Sequence, residues 1–163
     1  MTLTLGLVKE QLGVTGTDRD AMLTQYLNAA KQWVEDYTGK LLDRRGVEQH
    51  MDRFEPYLPL WYGPFVEFAQ IDYTGTDGVA ASLVDARLVG DRLYAPVAGW
   101  PHTFERTGIV VKYDAGFTEQ PAPLVQAVLV LVRDYFDNNG SLTDGAERAV
   151  RSLCSPYRTP VIA

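Results

Sequence analysis

The residues that could perform catalysis or bind a metal are few in this chain and lie far apart. The sequence contains two histidines, and neither His50 nor His102 has a second His or Cys three or four residues away, as zinc and iron sites usually require. Both histidines are therefore expected in turns or on the surface rather than in a ligand set. The sequence predicts no metal site and no cofactor.

Motifs for nucleophilic catalysis are also absent. The sequence has neither the glycine-flanked serine of hydrolases nor the P-loop of nucleotide-binding proteins. Its single cysteine, Cys154, lies beside Leu153 at a predicted helix end, where a small buried residue fits, and no nearby histidine could lower the thiol pKa. We therefore expect no enzymatic activity, and a small enzyme with scattered catalytic residues is the alternative.

The acidic residues indicate structure rather than chemistry. Asp18 and Asp20 do not follow the order of a calcium-binding loop. They lie one and three residues after Thr17, and this pattern predicts a helix start with Thr17 as N-cap and the carboxylate of Asp20 closing a capping box. A carboxylate pair for glycoside hydrolysis would be formed by the fold rather than by spacing, and a solvated surface is the default for the 21 acidic residues.

The composition is that of one globular domain of 163 residues. The net charge of −6 and the lack of a basic stripe disfavour binding that neutralises nucleic-acid phosphates, although an acidic protein can line a path along which DNA slides. One cysteine excludes an internal disulfide, and the N-terminus shows no signal-peptide pattern. The longest apolar run is far below the roughly 18 residues that span a bilayer, so no membrane partner is expected.

Hydrophobic periodicity predicts an α+β fold. Apolar residues recur at helical spacing within 4–38 and within 123–154, which predicts a helical core of about four helices, two N-terminal and two C-terminal. Residues 41–117 change to a period of two with frequent turn residues, which predicts a β-rich middle of about five or six short antiparallel strands. Asp77-Gly78 and Gly90-Asp91 are the predicted tight turns between strands. An extended tail, 156–163, follows, and the whole chain, 1–163, is predicted to form a single domain.

An aromatic loop between the predicted strands is a candidate interaction site. Trp61, Tyr62 and Phe65 lie among three prolines, and tryptophan and tyrosine are enriched at protein interfaces. These residues are therefore candidates for contact with a neighbouring subunit. The alternative is that they fold back over the sheet as a lid of the core.

The apolar segment 124–132 has more than one apolar side. One stripe suits an ordinary amphipathic helix, and Leu124, Ala127 and Leu131 add a second stripe. Two interpretations remain open. The helix is buried on two sides within its own domain, or the second stripe packs against a copy of the same protein. In the second case these three residues are subunit-interface residues.

Short motifs along the whole chain carry a family resemblance. They are Leu3-Thr4-Leu5, Val8-Lys9 and Leu12; Asp20, Leu23, Ala29-Ala30, Trp33-Val34-Glu35 and Tyr37-Thr38-Gly39; Leu58-Pro59-Leu60, Pro64, Val66 and Ile71-Asp72-Tyr73; Trp100-Pro101, 110–113 and Ala115-Gly116; and Pro123, Gln126-Ala127, 129–132, Leu153 and Pro156-Tyr157-Arg158. In this order and spacing they resemble the head–tail connector, or adaptor, proteins of long-tailed bacteriophages and gene transfer agents. One departure is 137–140, where the family has a bulky aromatic and basic patch.

The resemblance implies a virion structural protein. Proteins of this family form a ring, commonly of twelve subunits, beneath the portal vertex of the filled capsid, where it extends the DNA channel and offers a platform for the stopper or tail. The implied partners are further copies of the chain, the portal protein, and the stopper or tail terminator protein. Packaged DNA passes without sequence-specific binding. The implied location is the neck of the virion, after synthesis in the bacterial cytoplasm.

By analogy with the family, the β-rich middle and the tail are the expected contacts with portal and stopper. Tyr157 and Arg158 are the candidate contact residues of the tail, which is expected to order on docking. A stopper or tail-completion protein of the neck is the alternative function within the same virion.

Overall fold

The computed structural model describes residues 2–104 and 107–158. These residues form four α-helices, seven antiparallel β-strands and one 3-10 turn. The α+β class with two helices at each end is confirmed, and the β-rich middle has one or two strands more than predicted. In chain order the elements are α1 (Leu5–Leu12), α2 (Asp20–Thr38), β1 (Arg45–Met51), β2 (Tyr57–Pro59), β3 (Phe65–Thr74), β4 (Ala80–Leu83), β5 (Arg87–Val89), β6 (Arg92–Tyr94), β7 (Ile109–Ala115), α3 (Ala122–Asp137), α4 (Asp144–Cys154) and the 3-10 turn (Ser155–Tyr157).

The elements divide into two compact units. The helical unit comprises Met1–Asp43 with Phe117–Ala163, and the β unit comprises Arg44–Gly116 and contains all the strands. The limits of the β unit follow the predicted β-rich middle, 41–117, closely. The change of hydrophobic period along the sequence therefore coincides with the change from one compact unit to the other.

A glycine ends each of the two N-terminal helices. The hydroxyl of Thr4 caps α1 by accepting a hydrogen bond from Leu7 N at 3.2 Å. α1 ends at Gly13 and α2 at Gly39, and each glycine has a φ of 67°, the left-handed conformation that ends helices and that glycine adopts without strain.

The predicted N-terminal cap of α2 is wrong. The residue before the helix is Arg19, not Thr17, and no side chain of the described residues caps this end. The carboxylate of Asp20 instead binds the ammonium of Lys9 at 2.7 Å, so it does not close a capping box. An ion pair between α1 and α2 thus replaces the expected cap.

The loop between α3 and α4 is held by Asp134. Its carboxylate accepts hydrogen bonds from the backbone N–H and the hydroxyl of Thr143, both at 2.8 Å. Thr143 is in turn the N-cap of α4 and accepts a hydrogen bond from Ala146 N. Asn139 and Gly140 have positive φ in this loop, which these two residue types tolerate best. Residues 137–140, which depart from the family pattern, therefore belong to the connection between α3 and α4.

α3 lies at the centre of the helical core. Its second apolar stripe, Leu124, Ala127 and Leu131, has no exposed surface and belongs to a core cluster with residues of α1, α2 and α4. The interpretation of this stripe as a contact with another copy is therefore corrected. The chain covers the stripe itself, as the alternative interpretation states, and the three side chains offer no surface to a partner.

The β unit consists of two sheets. The strand orders are β1-β7-β3-β4 in the four-stranded sheet and β2-β6-β5 in the three-stranded sheet. The turns predicted at Asp77-Gly78 and Gly90-Asp91 are confirmed and connect β3 to β4 and β5 to β6. The central strand β7 is buried at every second residue, at Ile109, Val111, Tyr113 and Ala115.

Replacing Leu131 with Ala should lower the free energy of unfolding by about 2–5 kcal/mol, because it leaves a cavity in a packed core. Urea denaturation followed by circular dichroism measures this change. The control is Val97→Ala at a fully exposed position, where we expect a change below about 0.5 kcal/mol. A Leu131→Ala variant as stable as the wild type would mean that this side chain is not packed within its own chain.

Candidate interaction surface

The histidines, the cysteine and the acidic residues are the candidate ligands or reactive groups of the sequence. Within 2–104 and 107–158, no three His, Cys, Asp or Glu side chains come together where a metal ion could bind. His50 and His102 are exposed. Cys154 is buried, and burial raises the pKa of its thiol to about 11, so the thiol is protonated near neutral pH. Among the helices of the described residues, none is long and apolar enough to cross a membrane.

The exposed large apolar side chains of the described residues all lie in the β unit. The described large apolar residues of the helical unit, by contrast, are all at least partly buried. Because exposed apolar groups indicate interaction surfaces when they cluster, the β unit is the candidate location of an interaction surface. The exposed residues are Tyr57, Trp61, Val66, Val79, Val84, Val89, Val97 and Phe104.

The strand register places several of these residues on one face of the three-stranded sheet. Leu58 and Leu93 are paired and fully buried, so they define the inner face. The alternation continues beyond β2, because Leu60 is buried and Trp61 is 56% exposed. We call the outer side the tyrosine–arginine face; it consists of Tyr57, Tyr94 and Arg87 in one row, Pro59, Arg92 and Val89 in the next, and Trp61 at the end.

Contacts within the tyrosine–arginine face orient its side chains. The guanidinium of Arg92 lies 4.4 Å from the centre of the Tyr57 ring, a cation–π contact. The rings of Tyr57 and Tyr94 are 6.1 Å apart. The guanidinium of Arg92 also lies 3.7 Å from the carboxylate of Asp91, whereas Arg87 is exposed and makes no ion pair with any other described residue. The face therefore combines ordered aromatic rings with positive charge, the residue types that dominate binding energy at protein interfaces.

A hydrogen-bond network centred on the buried side chain of Gln49 fixes the backbone at Trp61. The side chain of Gln49, on β1, donates to Pro59 O at 2.8 Å and accepts from Trp61 N at 3.0 Å. The hydroxyl of Tyr113, on β7, donates to the same oxygen of Gln49 at 3.2 Å and accepts from Tyr62 N at 3.3 Å. Burial raises the pKa of Tyr113, which keeps its hydroxyl protonated. The loop is thus anchored from below while the Trp61 side chain remains outside.

The predicted aromatic loop residues divide between the two interpretations. Trp61 is exposed, as an interface residue requires, whereas Tyr62 and Phe65 are half-buried. The Phe65 ring lies 5.9 Å from that of Tyr113, so it packs on the sheet as a lid residue would.

Tyr157 and Arg158 pack on the helical unit. Tyr157 lies in the 3-10 turn at the start of the predicted tail, and its ring meets that of Phe117 edge to face at 6.5 Å. The guanidinium of Arg158 is 5.5 Å from the ring centre of Tyr37. The remainder of the predicted tail, 159–163, lies outside the described residues.

Sequence reasoning missed most of the tyrosine–arginine face and the residue beneath it. The alternation of apolar and outward residues in 57–61 was the available signal for an outer face. The partners Arg87, Arg92 and Tyr94 come from strands of three residues each, and their register depends on pairing that no local pattern shows. In the sequence Gln49 is an ordinary polar residue of a predicted strand, and its burial becomes visible only in the folded structure.

Comparisons with known proteins agree with the resemblance drawn from the sequence. Residues 2–58 match the family described as "Phage gp6-like head-tail connector protein". A chain in the structure of the neck of an empty gene transfer agent particle, computed with C6 symmetry, is 26% identical, with a TM-score of 0.83, covering 99% of this chain and 91% of that one. No curated protein matches the chain.

Two further structures share the fold. A chain in the neck of a native gene transfer agent particle, computed with C12 symmetry, is 24% identical with a TM-score of 0.81, covering 98% of this chain and 90% of that one. A chain in the virion of a native gene transfer agent particle is 24% identical with a TM-score of 0.80, covering 99% and 91%. The predicted resemblance to head–tail connector proteins is confirmed.

Replacing Gln49 with Leu should lower the free energy of unfolding by about 1–3 kcal/mol, because it leaves the Trp61 N–H without its acceptor and the Pro59 carbonyl without its donor. Urea denaturation measures the change. The matched control is Gln25→Leu at an exposed position of α2, where less than about 0.5 kcal/mol is expected. Equal stabilities of the two variants would contradict an anchoring role for Gln49.

The thiol of Cys154 should react with Ellman's reagent at pH 8 about a hundredfold more slowly in the folded protein than in the same protein unfolded by urea. Its pKa rises from 9.0 to about 11 on folding, so the folded protein contains correspondingly less thiolate. Absorbance at 412 nm (the thionitrobenzoate product) gives the rates. Similar rates in both states would show that Cys154 is accessible.

Proposed function

We propose that this chain, which resembles the gp6-like head–tail connectors at its N-terminus and gene transfer agent neck chains throughout, is a structural protein of the virion neck. The observation that carries this conclusion is the fold match, which spans nearly the whole of both chains. The function is structural rather than enzymatic, since the matches are to a connector family and to a neck. The protein belongs at the interface between head and tail.

The chain acts as one subunit of a ring in this proposal. The C6 and C12 symmetries of the neck structures support this arrangement, and twelve copies is the number we propose. A closed ring requires each subunit to offer two different, complementary patches to its neighbours. The helical unit has a continuous core of its own, which suits the role of a rigid scaffold.

The partners proposed along the virion axis are the portal on one side and the stopper or tail terminator on the other. The exposed Trp61 on the tyrosine–arginine face is the candidate anchor for a neighbouring copy, so formation of the ring that docks on the portal depends on it. Tyr62 and Phe65 support that loop from within, and Tyr157 and Arg158 lie where the chain leaves its last helix. The net charge of −6 suits a channel wall that packaged DNA passes without binding.

Electron microscopy of the protein mixed with the portal protein of the same particle tests this function. A ring stacked coaxially on the portal is the expected result. Binding to tail components instead of the portal would contradict the adaptor role and favour a stopper or tail-completion protein.

Replacing Trp61 with Ala should weaken assembly on the portal by roughly tenfold or more, because an exposed tryptophan on a fixed backbone is typical of interface hot spots. Co-sedimentation of the protein with the portal measures the affinity. The matched control is Phe104→Ala, since Phe104 is 53% exposed, close to the 56% of Trp61. Wild-type affinity of the Trp61→Ala variant, or an equal loss in both variants, would contradict the anchor role.

A further inference from the structure

The β unit presents a second outer face, on its four-stranded sheet. The buried sides of the two sheets face each other, since the buried side chain of Gln49 reaches from β1 to the backbone of Pro59 and Trp61. The unburied sides of the sheets therefore point in opposite directions. The tyrosine–arginine face is one of these sides, and the outer side of the four-stranded sheet is the other.

This second side carries an excess of acid. Its positions are those that pair across the sheet and alternate with the buried residues of β7. Lys112 lies at the centre, with its ammonium 2.9 Å from Asp72 and 3.6 Å from Glu48. We call this side the acidic face; its carboxylates are Glu48, Glu67, Asp72 and Asp114, and its cations are Lys112 and, beside Asp114, Arg44.

Two carboxylates of the acidic face are available to a partner. Glu67 is exposed and has no ion pair with any residue of the described ranges. The Glu48 side chain is 63% exposed and shares Lys112 with Asp72, which holds the ammonium more closely. Lys112 and two further hydrogen-bond donors lower the pKa of Asp72. The acidic face therefore has negative charge left over after its internal pairs are formed.

We propose that the tyrosine–arginine face of one copy docks on the acidic face of the next copy. This contact rests on the proposed function, because it describes how neighbouring subunits of the ring meet. The two faces lie on opposite sides of one unit, so they cannot meet within a chain. They are also different from each other and opposite in charge, which is what a head-to-tail contact that closes into a ring requires.

The spacing of the charges permits the contact. Arg87 and Arg92 are diagonal neighbours on adjacent strands, which places their Cα atoms about 8 Å apart. Glu48 and Glu67 lie two strands apart with a two-residue offset, which corresponds to about 12 Å. Long, flexible arginine and glutamate side chains can cover the difference. A second copy is therefore a partner whose charges match, and the apolar ring surfaces of Tyr57 and Trp61 add buried area to the contact.

Reciprocal charge reversal tests the contact. One variant carries Arg87→Glu and Arg92→Glu, and a second carries Glu48→Lys and Glu67→Lys. Arg87→Glu alone is made as well, because it breaks no ion pair within the described chain and so should not affect folding. Each variant is mixed with the portal protein, and rings are counted by electron microscopy.

Each double variant alone should give a ring yield at least about tenfold lower than the wild type, because every contact then brings like charges together. An equimolar mixture of the two should restore rings. In the mixture the contacts alternate between a native pair and a fully swapped pair, so a ring with an even number of copies can close. Arg87→Glu alone should reduce the yield in the same direction.

The matched control is Arg133→Glu with Arg148→Glu, two exposed arginines of the helical unit that receive the same change of charge. Its ring yield should equal that of the wild type. The contact is overturned if the double variants form rings normally, if the mixture fails to restore them, or if the control loses them equally. Wild-type protein that forms no ring would instead overturn the proposed function itself.

Discussion

The side chain of Gln49 is the contact on which the arrangement of the β unit depends. It is 2% exposed, and it satisfies backbone groups of the neighbouring sheet and loop with both its amide nitrogen and its oxygen. A buried polar group without such partners would be costly, so the two sheets are held in one relative position. That position sets which side of β2 faces outward and leaves Trp61 exposed on a fixed backbone. The presented surface is thus a consequence of a hydrogen bond beneath it.

The helical unit also contains buried polar side chains that hold backbone segments in place. Its core is apolar, and α3 is surrounded by the other helices, which accounts for its two apolar stripes. Buried polar side chains fix the backbone at Leu3 and Leu42, on either side of the two N-terminal helices. The carboxylate of Glu35 accepts a hydrogen bond from Leu42 N at 2.8 Å, and Gln120 accepts one from Leu3 N, also at 2.8 Å. The helices thereby keep their large apolar side chains at least half-covered, and the display of apolar groups is left to the β unit.

The sequence predicted the elements better than their partners. The helices and the turns at Asp77-Gly78 and Gly90-Asp91 follow from local periodicity and turn chemistry, and all were found. The cap of α2 was missed because Lys9, a residue of another helix, binds Asp20. The stripe on α3 was ambiguous for a related reason: a helix apolar on two sides looks the same whether its own chain or another copy covers it. The tyrosine–arginine face arises only from strand register, which is a non-local property.

Charge has two opposing effects in the proposed ring. Each copy carries a net charge of −6, so copies in solution repel one another beyond a few ångströms. The attraction between the tyrosine–arginine face and the acidic face is local and acts only when the two surfaces are aligned, within about one Debye length. Free copies therefore gain little from random encounters. A template that binds several copies in the correct orientation removes this obstacle, which favours assembly on a partner ring over assembly in free solution.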